Sequence, residues 1–240
     1  METTTIIDDG IALVTVTDNW LTQYQITTLW DLTIQLPWKS QTYHFPSNSK
    51  EFRGVSDRNA VTGGGERFVL TNRTSGDVVP KRTVYSFSDD NIGKHEYSGQ
   101  NLESDAWDSS PVGQEWMRIR DRLESELGVH FNSLLLNYYP DGNAAITNHF
   151  DTVKINGKTC AMETMVVGIS LGATRKFVFV PKLNVRGCEE KKTLQVKSGQ
   201  LMMMGEGVQK RYLHGIPYEK SIKEPRISAT FRVLPISVWK

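Results

Sequence analysis

Residues 137–151 read NYYPDGNAAITNHFD and hold the first evidence of both the fold and the chemistry of this chain. An apolar and aromatic run ends in a Pro-Asp-Gly turn, and a second short run ends in His149 and Asp151. Because Pro, Asp and Gly are turn formers, the stretch predicts two β-strands joined by a tight connection. Residues i and i+2 of a strand project from the same face, so a strand here would present the two polar side chains together.

The same pattern of short strands continues to the end of the chain. Turn residues separate several of the candidates, and such spacing is typical of an antiparallel sandwich or jelly roll. We therefore expect a β-jelly roll from about residue 130 onward. The eight candidate strands are NSLLLNYY, AAITNHFD, TMVVGISLG, RKFVFV, TLQVK, QLMMMG, KRYLH and RISATFRV.

The N-terminal half has a mixed character. IALVTV at residues 11–16 predicts a strand, and Asp18 or Asn19 can cap the helix that follows it. A stronger helix is predicted to start at Pro111 and to end at Gly128, with apolar residues three or four apart between them.

Between these two helices, residues 38–107 are polar and rich in aromatic side chains. The glycine run at residues 63–65 lacks the Lys-Ser/Thr of a phosphate-binding loop and predicts only a flexible tip. We expect one α+β domain over residues 1–240, with an N-terminal extension and lid at 1–129 and the jelly-roll core at 130–240.

The composition is that of an ordinary globular protein, with 38% hydrophobic and 23% charged residues. The first residues contain no basic segment, so no signal peptide is expected, and no apolar run is long enough to span a membrane. Cys160 and Cys188 have no metal-binding spacing and fit a reducing, intracellular setting, in the cytoplasm or nucleus; one disulfide between them is the alternative. A net charge of +1 means that any nucleic-acid contact would come from a local patch.

His149 and Asp151 together suit two adjacent positions on one metal ion. A third ligand must come from elsewhere, and the chain has 5 histidines. His214 lies in KRYLHGIP, on a late candidate strand that a jelly roll can bring beside the early one. Two histidines and one carboxylate on one face are typical of non-haem iron(II) oxygenases. The alternative is that the isolated His-x-Asp pair is an ordinary surface or hydrogen-bonded pair.

Arg226 alternates with apolar residues in PRISATFR and is predicted to be buried, where a guanidinium needs an anion. A cosubstrate that chelates iron at one end and offers a carboxylate at the other would satisfy it through a bidentate contact, and 2-oxoglutarate has this form. A salt bridge to a protein acid is the alternative for Arg226. For Arg232, further along the same strand, the two interpretations carry equal weight.

Four blocks in this order, NYYPDGNAAITNHFD, SLGATRKFVF, SGQLMMMGEGVQKRYLHGIP and PRISATFR, resemble the AlkB family of Fe(II)/2-oxoglutarate-dependent dioxygenases. The resemblance covers residues 131–233 closely. It implies a double-stranded β-helix core, which is a jelly roll, with an N-terminal nucleotide-recognition lid. It also implies Fe(2+) as cofactor, with 2-oxoglutarate and O2 as cosubstrates.

The family's functional residues carry over to matching positions. The metal-binding and catalytic residues would be His149, Asp151 and His214. The cosubstrate-binding residues would be Asn137, Tyr139, Arg226, Ser228 and Arg232. The substrate-binding residues would be Arg175, Phe177, Lys81, Arg82, Tyr85 and Tyr97.

Two positions depart from the family pattern. Ser228 stands where many members have Asn, and its hydroxyl can still donate a hydrogen bond to the cosubstrate. Val153 stands where repair enzymes of the family often have an acidic residue. This second departure concerns how a base would be recognised and leaves the oxidative chemistry unaffected.

The resemblance implies oxidative dealkylation of N-alkylated bases such as 1-methyladenine and 3-methylcytosine in DNA or RNA, with release of formaldehyde. The base would be flipped out or single-stranded. Residues 50–82 hold seven basic and four acidic residues, an excess of three positive charges beside aromatic side chains. This composition suits phosphate contacts and base stacking, and a solvated loop face explains it equally well.

We expect a monomer that acts on DNA or RNA carrying alkylated bases, with no membrane partner. A hydroxylase with the same chemistry acting on a protein, lipid or small molecule is the first alternative, which Val153 and the near-neutral charge favour somewhat. A jelly-roll binding module without catalysis is the second. The complete set of two histidines, one carboxylate and Arg226 argues against it.

Overall fold

A computed structural model describes residues 1–41, 43–45, 76–78, 80–90, 94–97, 100–155 and 158–234. More than half of residues 38–107, including residues 63–65, lies outside these ranges. The N-terminal elements are β1 (Thr3–Asp8), β2 (Leu13–Thr17), α1 (Gln23–Thr33), β3 (Lys39–Ser40), β4 (Tyr43–Phe45), β5 (Gly76–Val78), β6 (Thr83–Ser88), β7 (Lys94–Tyr97), β8 (Gln100–Glu103), β9 (Asp105–Ala106) and α2 (Pro111–Leu127). The remaining elements are β10 (Ser133–Tyr139), β11 (Ile146–His149), β12 (Thr152–Ile155), β13 (Lys158–Ala161), β14 (Val166–Gly172), β15 (Arg175–Pro181), β16 (Lys192–Val196), β17 (Leu201–Met204), α3 (Val208–Arg211), β18 (Tyr212–Ile216) and β19 (Arg226–Arg232).

The ends of the two long helices follow from local chemistry. The prediction of α2 is confirmed: it starts at Pro111 and ends before Gly128, whose φ of 68° is the left-handed conformation that glycine adopts without strain. The predicted cap of α1 is wrong. Thr22 caps this helix instead, because its hydroxyl accepts from the backbone of Gln25 while the Gln25 side chain bonds back to the backbone of Thr22.

Two sheets face each other in the core. The larger has nine strands in the order β1-β2-β17-β14-β19-β10-β6-β3, with β9 paired to β6, and the smaller has the order β11-β18-β15-β16. All eight strands predicted after residue 130 are present, four in each sheet. The sequence therefore predicted the jelly-roll arrangement correctly.

The N-terminal half takes part in the same architecture. Five of its strands, β1, β2, β3, β6 and β9, extend the larger sheet on both sides of the core strands. The segments before and after residue 130 thus contribute strands to the same sheet. Among the described helices, none has the length and apolarity that crossing a membrane requires.

Strand β19 is buried on both faces, and this places the site. Ile227, Ala229 and Phe231 belong to the core that the larger sheet forms with α1 and α2. The alternate residues of the strand therefore project between the two sheets. They are polar, and two of them, Arg226 and Arg232, are almost completely buried.

The turn between β1 and β2 is attached to the segment that leads into β18. Asp9 accepts hydrogen bonds from Arg211 Nε at 2.9 Å, from Tyr212 Oη at 2.8 Å and from the backbone of Ala12 at 2.8 Å. Burial by itself would raise the pKa of Asp9, but the hydrogen bonds, from Ala12 first, outweigh it and hold the pKa at about 2. The carboxylate is therefore ionised in the folded protein down to low pH.

We expect Asp9→Asn to lower the free energy of unfolding at pH 7 by about 1–3 kcal/mol, because it leaves the Arg211 guanidinium without its anion. The pKa of Asp9 is lower in the folded state, about 2, than its ordinary value of 3.8. Its contribution is thus complete above pH 4 and is lost as the pH falls toward 2. Urea unfolding of the native protein and the variant across this range measures the difference. Asp8→Asn, at an exposed neighbouring position, is the control, and an equal effect of both changes would contradict the assignment.

Candidate metal centre

His149 and His214 are brought together by the pairing of β11 with β18. The two residues are direct partners across the strands, and their ring centroids lie 4.4 Å apart. β11 ends at His149, so Asp151 lies just beyond the strand and not on it as predicted. The three side chains still converge, with one ligand atom from each lying within 4.8 Å of the others.

The surroundings of the two imidazoles leave one ring nitrogen of each for a metal. His149 Nδ1 lies 2.8 Å from the carbonyl oxygen of Thr147, so this nitrogen carries the proton. The lone pair of Nε2 is then available to bind a metal. His214 directs Nε2 toward Asp151 Oδ2, at 3.7 Å. Burial lowers the pKa of His214 to about 3 and keeps the ring neutral, which is the form that binds a divalent metal.

The Asp151 carboxylate is 4% exposed and is held from two sides. Arg232 Nη2 donates to its Oδ1 at 2.5 Å, and Gln209 Nε2 donates to its Oδ2 at 3.1 Å. Burial by itself would raise the pKa of Asp151, but the neighbouring groups, Arg232 first, together outweigh it and lower the pKa overall. Two imidazoles and one carboxylate fit the donor set of a non-haem iron(II) site.

A cavity extends from these residues between the two sheets. Asn137 and Ser228, which both line the cavity, are strand partners, and Tyr139 of the lining is the strand partner of Arg226, which does not itself line it. The cavity is lined by Asn137, Tyr139, Ile146, His149, Asp151, Gly168, Phe177, Met202, Met204, His214, Ile216, Ser228, Thr230 and Arg232.

Arg226 is 1% exposed and lies on the same inward row as Ser228. Its Nη2 donates to Ser170 Oγ at 2.8 Å and to Ser228 Oγ at 3.4 Å. Within the described ranges its Nε and Nη1 have no hydrogen-bond partner, and no acidic side chain pairs with it. Its guanidinium carbon lies 5.4 Å from the centre of the Tyr139 ring. Burial lowers the pKa of Arg226 to about 10, so the group is still a cation at neutral pH and fits one carboxylate of a dicarboxylate ligand.

Arg232 contacts both a protein carboxylate and the cavity. It forms the ion pair with Asp151, which is the alternative that the sequence left open, and it also lines the cavity. The Asp151 pair accounts for its burial without any ligand.

Of the six predicted substrate-binding residues, one lines the cavity. Phe177 lines the cavity, with its ring stacked on His214 at a centroid distance of 5.6 Å. Lys81 is exposed, and the side chain of Tyr97 lies outside the part of the chain that the structure describes.

The remaining three predicted residues, Arg175, Tyr85 and Arg82, are buried and do not line the cavity. Arg175 is 1% exposed and donates to Glu219 and to the carbonyl oxygens of Asp141, Ala144 and Pro217, so it fixes connecting loops. Tyr85 is buried and donates to Asp105.

The interpretation of Arg82 as a surface contact for phosphate does not hold. Its side chain is fully buried, and Nη1 donates to Asn137 Oδ1 at 2.6 Å. A buried guanidinium held in this way cannot contact the phosphates of a nucleic acid at the protein surface. It orients Asn137, because it occupies the carbonyl oxygen of that side chain and leaves the amide nitrogen to serve as a donor.

Sequence reasoning missed two residues of the site. Ser170 could have been found, because the alternation in VVGISLG places it on the inward face with Gly168. Gln209 gave no signal, because it fell between the predicted strands QLMMMG and KRYLH, where the structure has the short helix α3.

Comparison with known proteins agrees with this geometry. The sequence profile of the 2OG-Fe(II) oxygenase superfamily matches residues 59–232. The chain is 33% identical over 145 residues to the DNA oxidative demethylase ALKBH2 of Bos taurus, covering 58% of this chain and 49% of the relative. It is 29% identical over 121 residues to the alpha-ketoglutarate-dependent dioxygenase alkB homolog 3 of Homo sapiens, covering 48% and 41%.

The chain thus spans about half the length of the relatives named here. The solved structure of OsALKBH1 superposes with a TM-score of 0.49 at 14% identity, over 92% of this chain and 97% of that one. The match to the family profile extends from the lid segment to the last core strand and includes the two histidines, the aspartate and Arg226. The chain therefore belongs to the 2OG-Fe(II) oxygenase superfamily.

Proposed function

We propose that this protein is an Fe(II)/2-oxoglutarate-dependent dioxygenase that oxidatively dealkylates N-alkylated bases in DNA. The observation that carries the proposal is the combination, in one interior, of the His149–Asp151–His214 triad with the buried Arg226 guanidinium. A metal site alone would fit many activities. A metal site beside a buried cation that no described acid neutralises fits a cosubstrate that is both chelator and carboxylate.

The residues of the chain would prepare the reaction by binding and orientation. Arg226 would pair with the distal carboxylate of 2-oxoglutarate, while Ser170 and Ser228 hold its guanidinium in place. Asn137 and Tyr139 would donate hydrogen bonds to the same molecule. His149, Asp151 and His214 would hold the iron, which would supply dioxygen activation coupled to decarboxylation of 2-oxoglutarate to succinate and carbon dioxide. The apolar lining, with Phe177 stacked on His214, would exclude water from the reacting group.

The substrate class rests on the relatives. Proteins named DNA oxidative demethylase share about a third of their aligned residues with this chain. We therefore favour DNA over RNA, with 1-methyladenine and 3-methylcytosine as the lesions. Hydroxylation of such an N-methyl group gives a product that releases formaldehyde and restores the base. The enzyme would act as a monomer, inside the cell, in the cytoplasm or nucleus.

The triad is tested by His149→Ala and His214→Ala. Each change removes one of three protein ligands, so we expect weaker iron binding and at least about a hundredfold less succinate formed per minute. Anaerobic titration with Fe(II) and a succinate assay measure the two effects. His130→Ala is the matched control, because that imidazole is 62% exposed and lies outside the site. Full turnover in either triad variant would remove that residue from the metal site.

The cosubstrate contact is tested by Arg226→Ala and Arg226→Lys. Losing a charged bidentate bond from a buried site costs about 2–5 kcal/mol, so the 2-oxoglutarate concentration for half-maximal rate should rise by a factor of tens to thousands. Lysine should restore only part of the affinity, since an ammonium cannot form two parallel bonds. Titration of 2-oxoglutarate at saturating iron gives the values. An unchanged requirement in Arg226→Ala would mean that the cosubstrate is held elsewhere.

The substrate is tested with oligonucleotides that carry one 1-methyladenine or 3-methylcytosine. We expect release of formaldehyde and loss of the methyl mass, faster in single strands than in duplexes because a lesion on the pairing edge must leave the stack. Binding should weaken as salt rises, in proportion to the phosphates contacted. Matched RNA strands test the choice of DNA. If 2-oxoglutarate is consumed while every methylated strand stays intact, a hydroxylase of a protein, lipid or small molecule becomes the better interpretation.

A further inference from the structure

We propose that Gln209 is a positioning residue of the metal centre, which fixes the Asp151 carboxylate so that it offers a single oxygen to the metal. The inference rests on the proposed function for the presence of the metal. It concerns a residue whose role follows from contacts alone, because Gln209 is five positions from His214 and does not itself line the cavity.

Gln209 holds both the backbone and the side chain of Asp151. Its Oε1 accepts from the Asp151 backbone N–H at 2.9 Å, and its Nε2 donates to Asp151 Oδ2 at 3.1 Å. The glutamine is 2% exposed, so water cannot replace these bonds easily. A side chain held at two points of one residue restricts the rotation of its carboxylate.

Arg232 completes the restriction from the other side. Its donation to Asp151 Oδ1 at 2.5 Å means that each carboxylate oxygen already has one donor. Oδ2 is the oxygen that faces His214 Nε2, at 3.7 Å. The remaining lone pair of Oδ2 is thus the one directed toward a metal bound by the histidines, while Oδ1 is turned to Arg232.

The number of open positions on the metal depends on this orientation. A carboxylate that binds through one oxygen leaves three of six octahedral positions for a bidentate cosubstrate and dioxygen. A carboxylate free to rotate could bind through both oxygens and occupy one of them. Fixing Asp151 therefore protects the reaction as well as the affinity for the metal.

An uncharged amide is suited to this role. It donates to the carboxylate without adding a positive charge that would repel the metal, and it accepts from a buried N–H that an apolar side chain would leave unpaired. The segment that carries it is itself fixed, because Lys182 Nζ donates to the carbonyl oxygen of Gln209 at 2.8 Å and Arg211 is bound by Asp9. These contacts anchor the short segment that carries both Gln209 and His214.

The experiment compares Gln209→Met, Gln209→Asn and the control Lys210→Met. Methionine keeps the length and unbranched form of glutamine and removes both hydrogen bonds. Asparagine keeps the amide but is one methylene too short to reach both atoms. Lys210 is the exposed neighbour on the same helix, and its ion pair with Glu163 lies on the surface. Binding of Mn²⁺ alone, followed by its paramagnetic resonance signal, is the first measurement.

We expect the Mn²⁺ dissociation constant to rise by about 10–100-fold in Gln209→Met, by less in Gln209→Asn, and not at all in Lys210→Met. The second measurement is the visible spectrum of the Co²⁺ protein with 2-oxoglutarate, which reports coordination number. It should change in Gln209→Met, whereas a residue that only fills space would leave it unaltered.

Thermal unfolding separates packing from positioning. A purely structural role predicts the same loss of unfolding temperature with and without Mn²⁺, and the proposed role predicts a larger loss when Mn²⁺ is present. If Gln209→Met binds Mn²⁺ as the native protein does, the inference is wrong. Should that variant not fold, native-like binding in Gln209→Asn overturns it equally. Failure of the native protein to bind Mn²⁺ would instead reject the proposed metal site itself.

Discussion

The burial of one carboxylate constrains much of this structure. Asp151 is 4% exposed, and an ionised group so placed is stable only with cations or donors on every side. Arg232 from β19 and Gln209 from α3 supply them, and these come from two separate segments. The geometry that satisfies the carboxylate is also the geometry that gathers three metal ligands. The contacts that stabilise the fold around Asp151 therefore also assemble the metal site.

Strand β19 contributes to both the core and the site, because one of its faces is apolar and the other is polar. Its apolar residues Ile227, Ala229 and Phe231 pack toward the helices, and the alternate polar residues line the interior between the sheets. The strand pairs with β10 on one side and β14 on the other, so Ser228 lies beside both Asn137 and Ser170. A central strand thus brings a row of donors to a place where the polar side chains satisfy one another or a ligand.

Buried arginines show where sequence reasoning reached its limit. Arg226 stood in an alternating apolar pattern, and that pattern predicted its burial correctly. Arg82 and Arg175 stood in segments that also held exposed charge, and both were interpreted as contacts for substrate. The structure buries them against Asn137 and against Glu219 with three loop carbonyl oxygens. No local pattern separates a guanidinium that faces solvent from one whose partner lies 55 residues away.

The sequence by itself determined the eight core strands, the helix from Pro111 to Gly128, and the histidines and aspartate of the metal site. These depend on signals that act over a few residues: alternation, turn formers, caps and short motifs. Only the tertiary structure decided that N-terminal strands extend the larger sheet, that Arg232 neutralises Asp151, and that Gln209 holds it. Such contacts join segments that are far apart in the chain, and their partners are chosen by burial and by the need of each buried charge for a counterpart, which no stretch of neighbouring residues records.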